Sequence, residues 1–151
     1  MMTVCLRYTR NDEDAVEVLN NGFLKVFKNI QRYDPKQASL YTWIRTIIIN
    51  SCLDFIKQKH KLEKISELNE DVEVHIPPEA ISKIKTTELL QQVRRLPPAT
   101  QAVFNLYVIE GYNHKEIGQL LNISEGTSKW HLSTARKKLQ KMINEEQRAN
   151  E

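Results

Sequence analysis

Four glycines, five prolines and two cysteines are all that this 151-residue chain holds of the residues that build tight turns, polyproline segments and disulfide frameworks. So few turn formers, set among long Leu, Ile, Lys and Glu stretches, exclude a turn-rich β-sandwich and favour helices. No run of alternating apolar and polar residues marks a strand. The longest apolar run, "WIRTIIINSCLDFI", is interrupted by Arg45, Asn50 and Asp54, which makes it too short and too charged to span a bilayer. The opening "MMTVCLRYTRN" lacks the apolar core and small-residue cleavage site of a signal peptide, so the sequence predicts a cytoplasmic protein without membrane insertion. Cys5 and Cys52 are far apart, with no CxxC spacing and no His beside either. No zinc site or disulfide is expected, and both thiols read as small hydrophobes. Paired carboxylates, a Ser/His/Asp set, a phosphate-binding glycine loop and a metal-ligand cluster are all missing, which argues against an enzyme and implies no cofactor and no metal.

What is present is a 40% hydrophobic composition, enough for modest helical cores, and an uneven charge. Residues 1–62 carry ten basic and six acidic side chains, residues 63–88 three and seven, and residues 89–151 nine and six. Basic ends around an acidic middle suit a polyanion such as nucleic acid, and a solvated surface is the alternative.

Periodicity predicts an all-α fold of two small helical domains joined by a flexible linker. In the first domain, residues 1–62, Asp12 is the expected N-cap of a helix whose apolar residues Ala15, Val16, Leu19, Phe23, Val26, Phe27 and Ile30 recur at three- and four-residue steps. That helix should end near Tyr33, ahead of Pro35. A second helix follows the loop "YDPKQAS", with Leu40, Trp43, Ile44, Ile47, Ile48, Cys52, Phe55 and Ile56 on its apolar side. Asn50 is polar within that run; because unsatisfied burial costs about 1–3 kcal/mol, it is expected to be exposed. Residues 63–88 are acidic, contain a Pro pair and show no sustained period, as a linker would.

The second domain, residues 89–146, resumes with "TTELLQQVRRL". Pro98 then opens a helix that Gly111 closes. Asn113 and Glu116 form a capping-box spacing before the short helix "HKEIGQLL". Asn122 sits in the turn, where a left-handed residue is needed, and Ser124 can cap a longer helix. In that helix Ser128, Leu132, Ala135, Leu139 and Ile143 form the buried stripe, while Gly126, Trp130, Ser133, Lys137 and Lys141 face the other way. A short helix, a tight turn and a longer basic helix form a helix-turn-helix, whose second helix enters the major groove of DNA. An outward indole one turn from a glycine, among lysines, favours base contact over a merely solvated face. Packing of Trp130 against another helix is the alternative.

The chain resembles the extracytoplasmic-function (ECF) group of bacterial sigma factors, over roughly residues 8–143. "NDEDAVEVLNNGFLKVFKNIQRYD" is similar to the family's polymerase-binding helix and "ASLYTWIRTIIINSCLDFIKQKHK" to its promoter-melting helix. The segment from "LPPATQAVF" to "STARKKL" is similar to its minus-35-reading domain. The resemblance implies polymerase contacts at Asn20, Asn21, Phe23 and Lys25, and a pocket for an unstacked minus-10 base at the loop from Tyr33 to Leu40. It implies further minus-10 contacts at Leu40, Asn50, Asp54, Lys57, Lys59 and Lys61, the lysines being a solvated helix end in the alternative reading. Minus-35 contacts fall on Gly126, Thr127, Lys129, Trp130, Ser133, Thr134, Lys137 and Lys138. The implied partners are core RNA polymerase, promoter DNA and an anti-sigma factor.

Several positions depart from the family. Asn20 and Asn21 stand where a glutamine and an acidic residue are common, Leu40 replaces a frequent aromatic, and Ser128 replaces a β-branched residue. The chain is expected to begin at about the second helix of the family's first domain, with the preceding helix missing. Two other functions fit parts of the sequence: a dimeric helix-turn-helix regulator, and a truncated sigma-like protein that binds polymerase or an anti-sigma factor without melting promoters.

Overall fold

The computed structural model describes residues 1–59 and 86–149, and every regular element among them is helical. The chain divides into two compact units between Lys61 and Leu62.

In the first unit, α1 (Met2–Tyr8) precedes α2 (Asp12–Asn29) and α3 (Leu40–Lys59). The expectation of a chain beginning at its second helix therefore needs correction, because a seven-residue helix stands before it. Alpha1 buries Val4, Cys5 and Tyr8, a one-turn stripe too short to register as a period. Asn11, one residue earlier than expected, caps α2 by accepting a 2.7 Å hydrogen bond from the Asp14 amide, and Asp12, Glu13 and Asp14 complement the helix dipole. A 3-10 turn, Ile30–Arg32, ends α2, and Tyr33 is extended ahead of Asp34-Pro35. Ser39 then caps α3, its hydroxyl accepting from the Thr42 amide at 3.1 Å.

The buried face of α2 is narrower than its apolar sequence suggests. Ala15, Val18, Gly22 and Val26 are buried, whereas Val16, Phe27 and Ile30, expected inside, are exposed. Gly22 lies on the buried line, where a Cβ would stand 2.5 Å from Ile48 Cδ1, so α2 packs tightly on α3 at that position. Alpha3 packs on both α1 and α2, and accordingly buries a wide arc comprising Ile48, Ile49, Ser51, Cys52, Leu53 and Ile56.

In the second unit, α4 (Thr86–Arg94), α5 (Pro98–Phe104), α6 (His114–Leu121) and α7 (Glu125–Ala149) surround a core that includes Leu96, Val103, Phe104, Leu106, Ile117, Leu132 and Leu139. Residues 86–88, assigned to the linker from sequence, form the first turn of α4. The remainder of that linker, up to residue 85, lies outside the described residues. Alpha5 continues into a π-helical turn, Asn105–Ile109, and Gly111 reverses the chain with φ of 78°. Alpha4, α5 and α6 all pack on α7.

Candidate nucleic-acid interface

The turn between α6 and α7 is built by local rules. Asn113 Oδ1 accepts from the Glu116 amide at 2.9 Å and Glu116 Oε2 accepts from the Asn113 amide at 2.8 Å, a complete capping box. Asn122 ends α6 in the left-handed region, φ 56° and ψ 49°. The Ile123 amide donates to the Gly118 carbonyl at 3.0 Å. A Cβ on residue 118 would approach the Ile123 carbonyl oxygen to 2.8 Å, so glycine permits the crossing. Ser124 caps α7 by accepting from the Thr127 amide at 3.0 Å.

Alpha7 buries Ser128, Leu132, Ala135 and Leu139, as its period predicts, with Ile143 half-buried. Its other side exposes Gly126, Lys129, Lys137 and Lys138, with Thr127, Trp130, Ser133 and Thr134 half-buried. Beyond its own helix backbone and chain neighbours, only the Ser124 hydroxyl, at 3.7 Å, lies near where a Gly126 side chain would begin. Trp130 meets the His131 ring edge-on, with centroids 4.9 Å apart. His131 was not singled out from sequence, although it lies three residues from Ser128 and four from Ala135, at the edge of the buried stripe. It is buried and its Nδ1 hydrogen-bonds Thr100 Oγ1 of α5 at 3.0 Å. Burial lowers its pKa to about 4. His114 Nδ1 similarly shares a 2.9 Å hydrogen bond with Ser128 Oγ, and desolvation, followed by the positive charge of Lys129, lowers its pKa.

In the first unit a groove of about 310 Å³ opens between α2 and α3, lined by Lys25, Asn29, Arg32, Trp43, Ile47 and Asn50. Trp43, expected in the apolar stripe, is half-buried and leans on Tyr33 with ring centroids 5.5 Å apart. The groove thus has an aromatic and aliphatic floor with amide and cationic walls. Asn29 and Arg32 were missed from sequence, yet with Lys25 they recur at i, i+4 and i+7. Lys25 Nζ lies 2.9 Å from Asp54 Oδ2. Among the described residues no group of three or more His, Cys, Asp or Glu could hold a metal ion, and no described helix is long and apolar enough to cross a membrane.

Comparison with known proteins accounts for both units. Residues 1–62 match the model of sigma-70 region 2, and residues 86–139 match that of sigma-70 region 4. The chain belongs to the sigma-70 family. Among its relatives, the ECF RNA polymerase sigma factor SigE of Mycolicibacterium smegmatis is 29% identical over 139 residues, spanning 88% of this chain and 53% of that one. SigW of Bacillus subtilis, also an ECF sigma factor, is 25% identical over 152 residues, spanning 93% and 81%. The chain thus spans about half the length of the first and about four-fifths of the second. The sigma factor RpoE of Bartonella quintana, solved in complex with the anti-sigma factor NepR, shares the fold with a TM-score of 0.61 at 14% identity over 95% of this chain and 89% of that one.

Within the region 2 unit, the residues expected to touch polymerase split into two groups. Asn20 and half-buried Phe23 border the outward apolar face of α2, beside Val16, Leu24 and Phe27, the last 73% exposed. Asn21 is exposed on the far side of α2, and Lys25 is turned toward α3 and paired with Asp54. The residues expected to meet the minus-10 element, Leu40, Asn50, Asp54, Lys57, Lys59 and Lys61, also separate. Trp43, Ile47, Asn50, Asp54 and Lys57 fall on one face of α3, where Asn50 is exposed and Lys57 half-buried, and Leu40 is exposed at the helix start. Lys59 ends α3 and its side chain lies outside the described residues, as does Lys61 altogether. In the region 4 unit the residues expected to meet the minus-35 element all fall on α7, and Thr127 is partly engaged, its hydroxyl 2.8 Å from that of Ser124.

Proposed function

We propose that this chain is a promoter-recognition subunit that guides core RNA polymerase, acting in the cytoplasm and without catalytic chemistry of its own. The observation that carries the reading is the pairing of a region 2 fold and a region 4 helix-turn-helix in one chain, each with an exposed face whose chemistry suits its task.

In the region 4 unit, α7 is the reading helix. Lys129, Lys137 and Lys138 supply phosphate contacts that set position, while Trp130, Ser133 and Thr134 face the minus-35 base edges, and Gly126 and Thr127 let the backbone approach closely. In the region 2 unit, the groove between α2 and α3 receives single-stranded minus-10 DNA. Trp43 offers a stacking surface, Asn50 an amide for base edges, and Arg32 and Lys25 neutralise phosphates, with Asp54 tuning Lys25. Leu40 and Lys57 flank that path. Strand opening is favoured where a flipped base gains contacts worth the few kcal/mol of unstacking. Core polymerase is received by α2 through Asn20, Phe23 and the exposed Leu24 and Phe27, with Asn21 at the edge.

An anti-sigma factor is the expected antagonist, by likeness to the RpoE neighbour. A dimeric regulator would leave the region 2 unit without a role. The test is in vitro transcription with core polymerase on a promoter library. Start sites that depend on the added chain are expected, and a folded chain that binds no core polymerase and yields no such transcript overturns the proposal.

A further inference from the structure

The two cations that line the groove between α2 and α3 stand in different states. Lys25 Nζ donates a 2.9 Å hydrogen bond to Asp54 Oδ2, an ion pair that joins α2 to α3 across 29 residues of sequence. Arg32 has no acidic partner among the described residues. Asp54 stands one turn after Asn50 on the same face of α3, so the pair extends the lining by a turn at that end. We propose that Asp54 is an electrostatic guard: it competes with nucleic-acid phosphate for Lys25 and holds down sequence-independent binding of single strands in the groove. The proposal rests on the reading of this groove as a single-strand site, and adds to it a residue that works against binding there.

The pair is placed to exchange partners. Its side chains are 46% and 52% exposed, and an ion pair so open to water holds only weakly. A phosphate can therefore take the place of the carboxylate without unpacking anything. Asn29 Nδ2 donates to the Lys25 carbonyl at 2.8 Å, which fixes the Asn29 side chain against α2 whichever anion the Lys25 ammonium meets. The amide wall of the groove stays in place while the charge at its end changes hands.

With Asp54 in place, the charges of the pair cancel, and of the two lining cations only Arg32 offers a strand its full charge. A phosphate that reaches Lys25 displaces a carboxylate, so one anion replaces another and little counterion is released. Attraction to phosphate is the sequence-independent part of nucleic-acid binding, whereas contacts of Trp43 and Asn50 with bases do not pass through Asp54. The guard weakens the first and leaves the second to the bases.

The test measures binding of fluorescein-labelled oligothymidylate to the full chain by anisotropy over a series of salt concentrations. Asp54→Asn and Arg32→Ala are compared with the parent and with Glu17→Gln, which neutralises an exposed carboxylate of α2 outside the groove lining. Asn is isosteric with the half-exposed Asp54, so the fold is kept. Asp54→Asn should bind about two- to fivefold tighter, the strength of an exposed ion pair expressed as affinity. Its slope of log K against log salt should steepen by about 0.7, the mark of one further phosphate neutralised on a single strand. Glu17→Gln makes the same change in net charge and should stay close to the parent in both, while Arg32→Ala should bind more weakly. If Asp54→Asn binds no tighter than Glu17→Gln at an unchanged slope while Arg32→Ala weakens, the guard is overturned and the groove reading stands. If Arg32→Ala binds as well as the parent, the strand lies elsewhere, and the groove reading falls together with the guard.

Discussion

Acidification should weaken the helix-turn-helix unit through His131. The ring is buried beneath α7, and burial holds its pKa near 4 against an ordinary 6.5. The folded state therefore binds fewer protons than the unfolded state between those values. The stabilisation is fully present above the unfolded value and is lost as pH falls through the folded one. The gap sets a ceiling of about 3 kcal/mol, and between about pH 7 and about pH 5 the loss amounts to about 2 kcal/mol. His114, whose pKa is also lowered, adds a contribution of the same sign. The assay is urea unfolding followed by the fluorescence of Trp130 in a Trp43→Phe chain, which leaves one indole in the second unit. It is run at both pH values, with and without His131→Gln. The parent should lose about 2 kcal/mol on acidification and the variant at least about 1 kcal/mol less, because Gln keeps a polar partner for Thr100 without a titrating group. Equal losses in the two chains, or an NMR titration of His131 close to 6.5, would refute the reasoning.

Three other outcomes are expected. Gly118→Ala gains about 1 kcal/mol in helix propensity but sets its Cβ against the Ile123 carbonyl, an overpacking that costs about 1–3 kcal/mol. A net destabilisation of the region 4 unit by chemical denaturation is expected, and a stabilised variant would show that the turn yields freely. Trp130→Ala should narrow the difference in affinity between cognate and scrambled minus-35 duplexes. Lys138→Ala should instead lower affinity for both alike and reduce the slope of log K against log salt by about 0.9, readable by fluorescence anisotropy. The Lys25–Asp54 pair is about half exposed at both ends, so a double-mutant cycle on stability should give a coupling of only about 0.5 kcal/mol, screened by salt.

The helix-turn-helix was legible because each of its parts is a local rule. Asn113 with Glu116, Asn122, Ser124 and Gly118 act within a few residues of themselves, and the stripe Ser128, Leu132, Ala135 and Leu139 has one neighbouring surface to satisfy. The region 2 unit resisted for the opposite reason. Alpha3 has two partners, so its buried arc spreads to Ile49 and Leu53 and no single stripe describes it. On α2, Val16 and Phe27 fit the apolar period as well as Val18 does. Which line turns inward is a tertiary fact, and the tight packing of Gly22 on Ile48 lies on the buried one. Alpha1 offers no side-chain cap and a single turn of pattern, so nothing in "MMTVCLRYTRN" announces it. His131 escaped notice because one histidine at a stripe's edge reads as surface until its Thr100 partner is seen across the core.

The outward apolar line of α2 also governs how the free protein behaves in bulk. Val16, Leu24 and Phe27 stand in water with no described neighbour covering them, and two copies that press these lines together remove the same surface from solvent that a partner would. Self-association of this kind grows with concentration and competes for the face polymerase is proposed to use. Stock solutions should therefore lose competent molecules as they are concentrated, and dilution before mixing with core enzyme should raise the transcript yield per molecule of added chain.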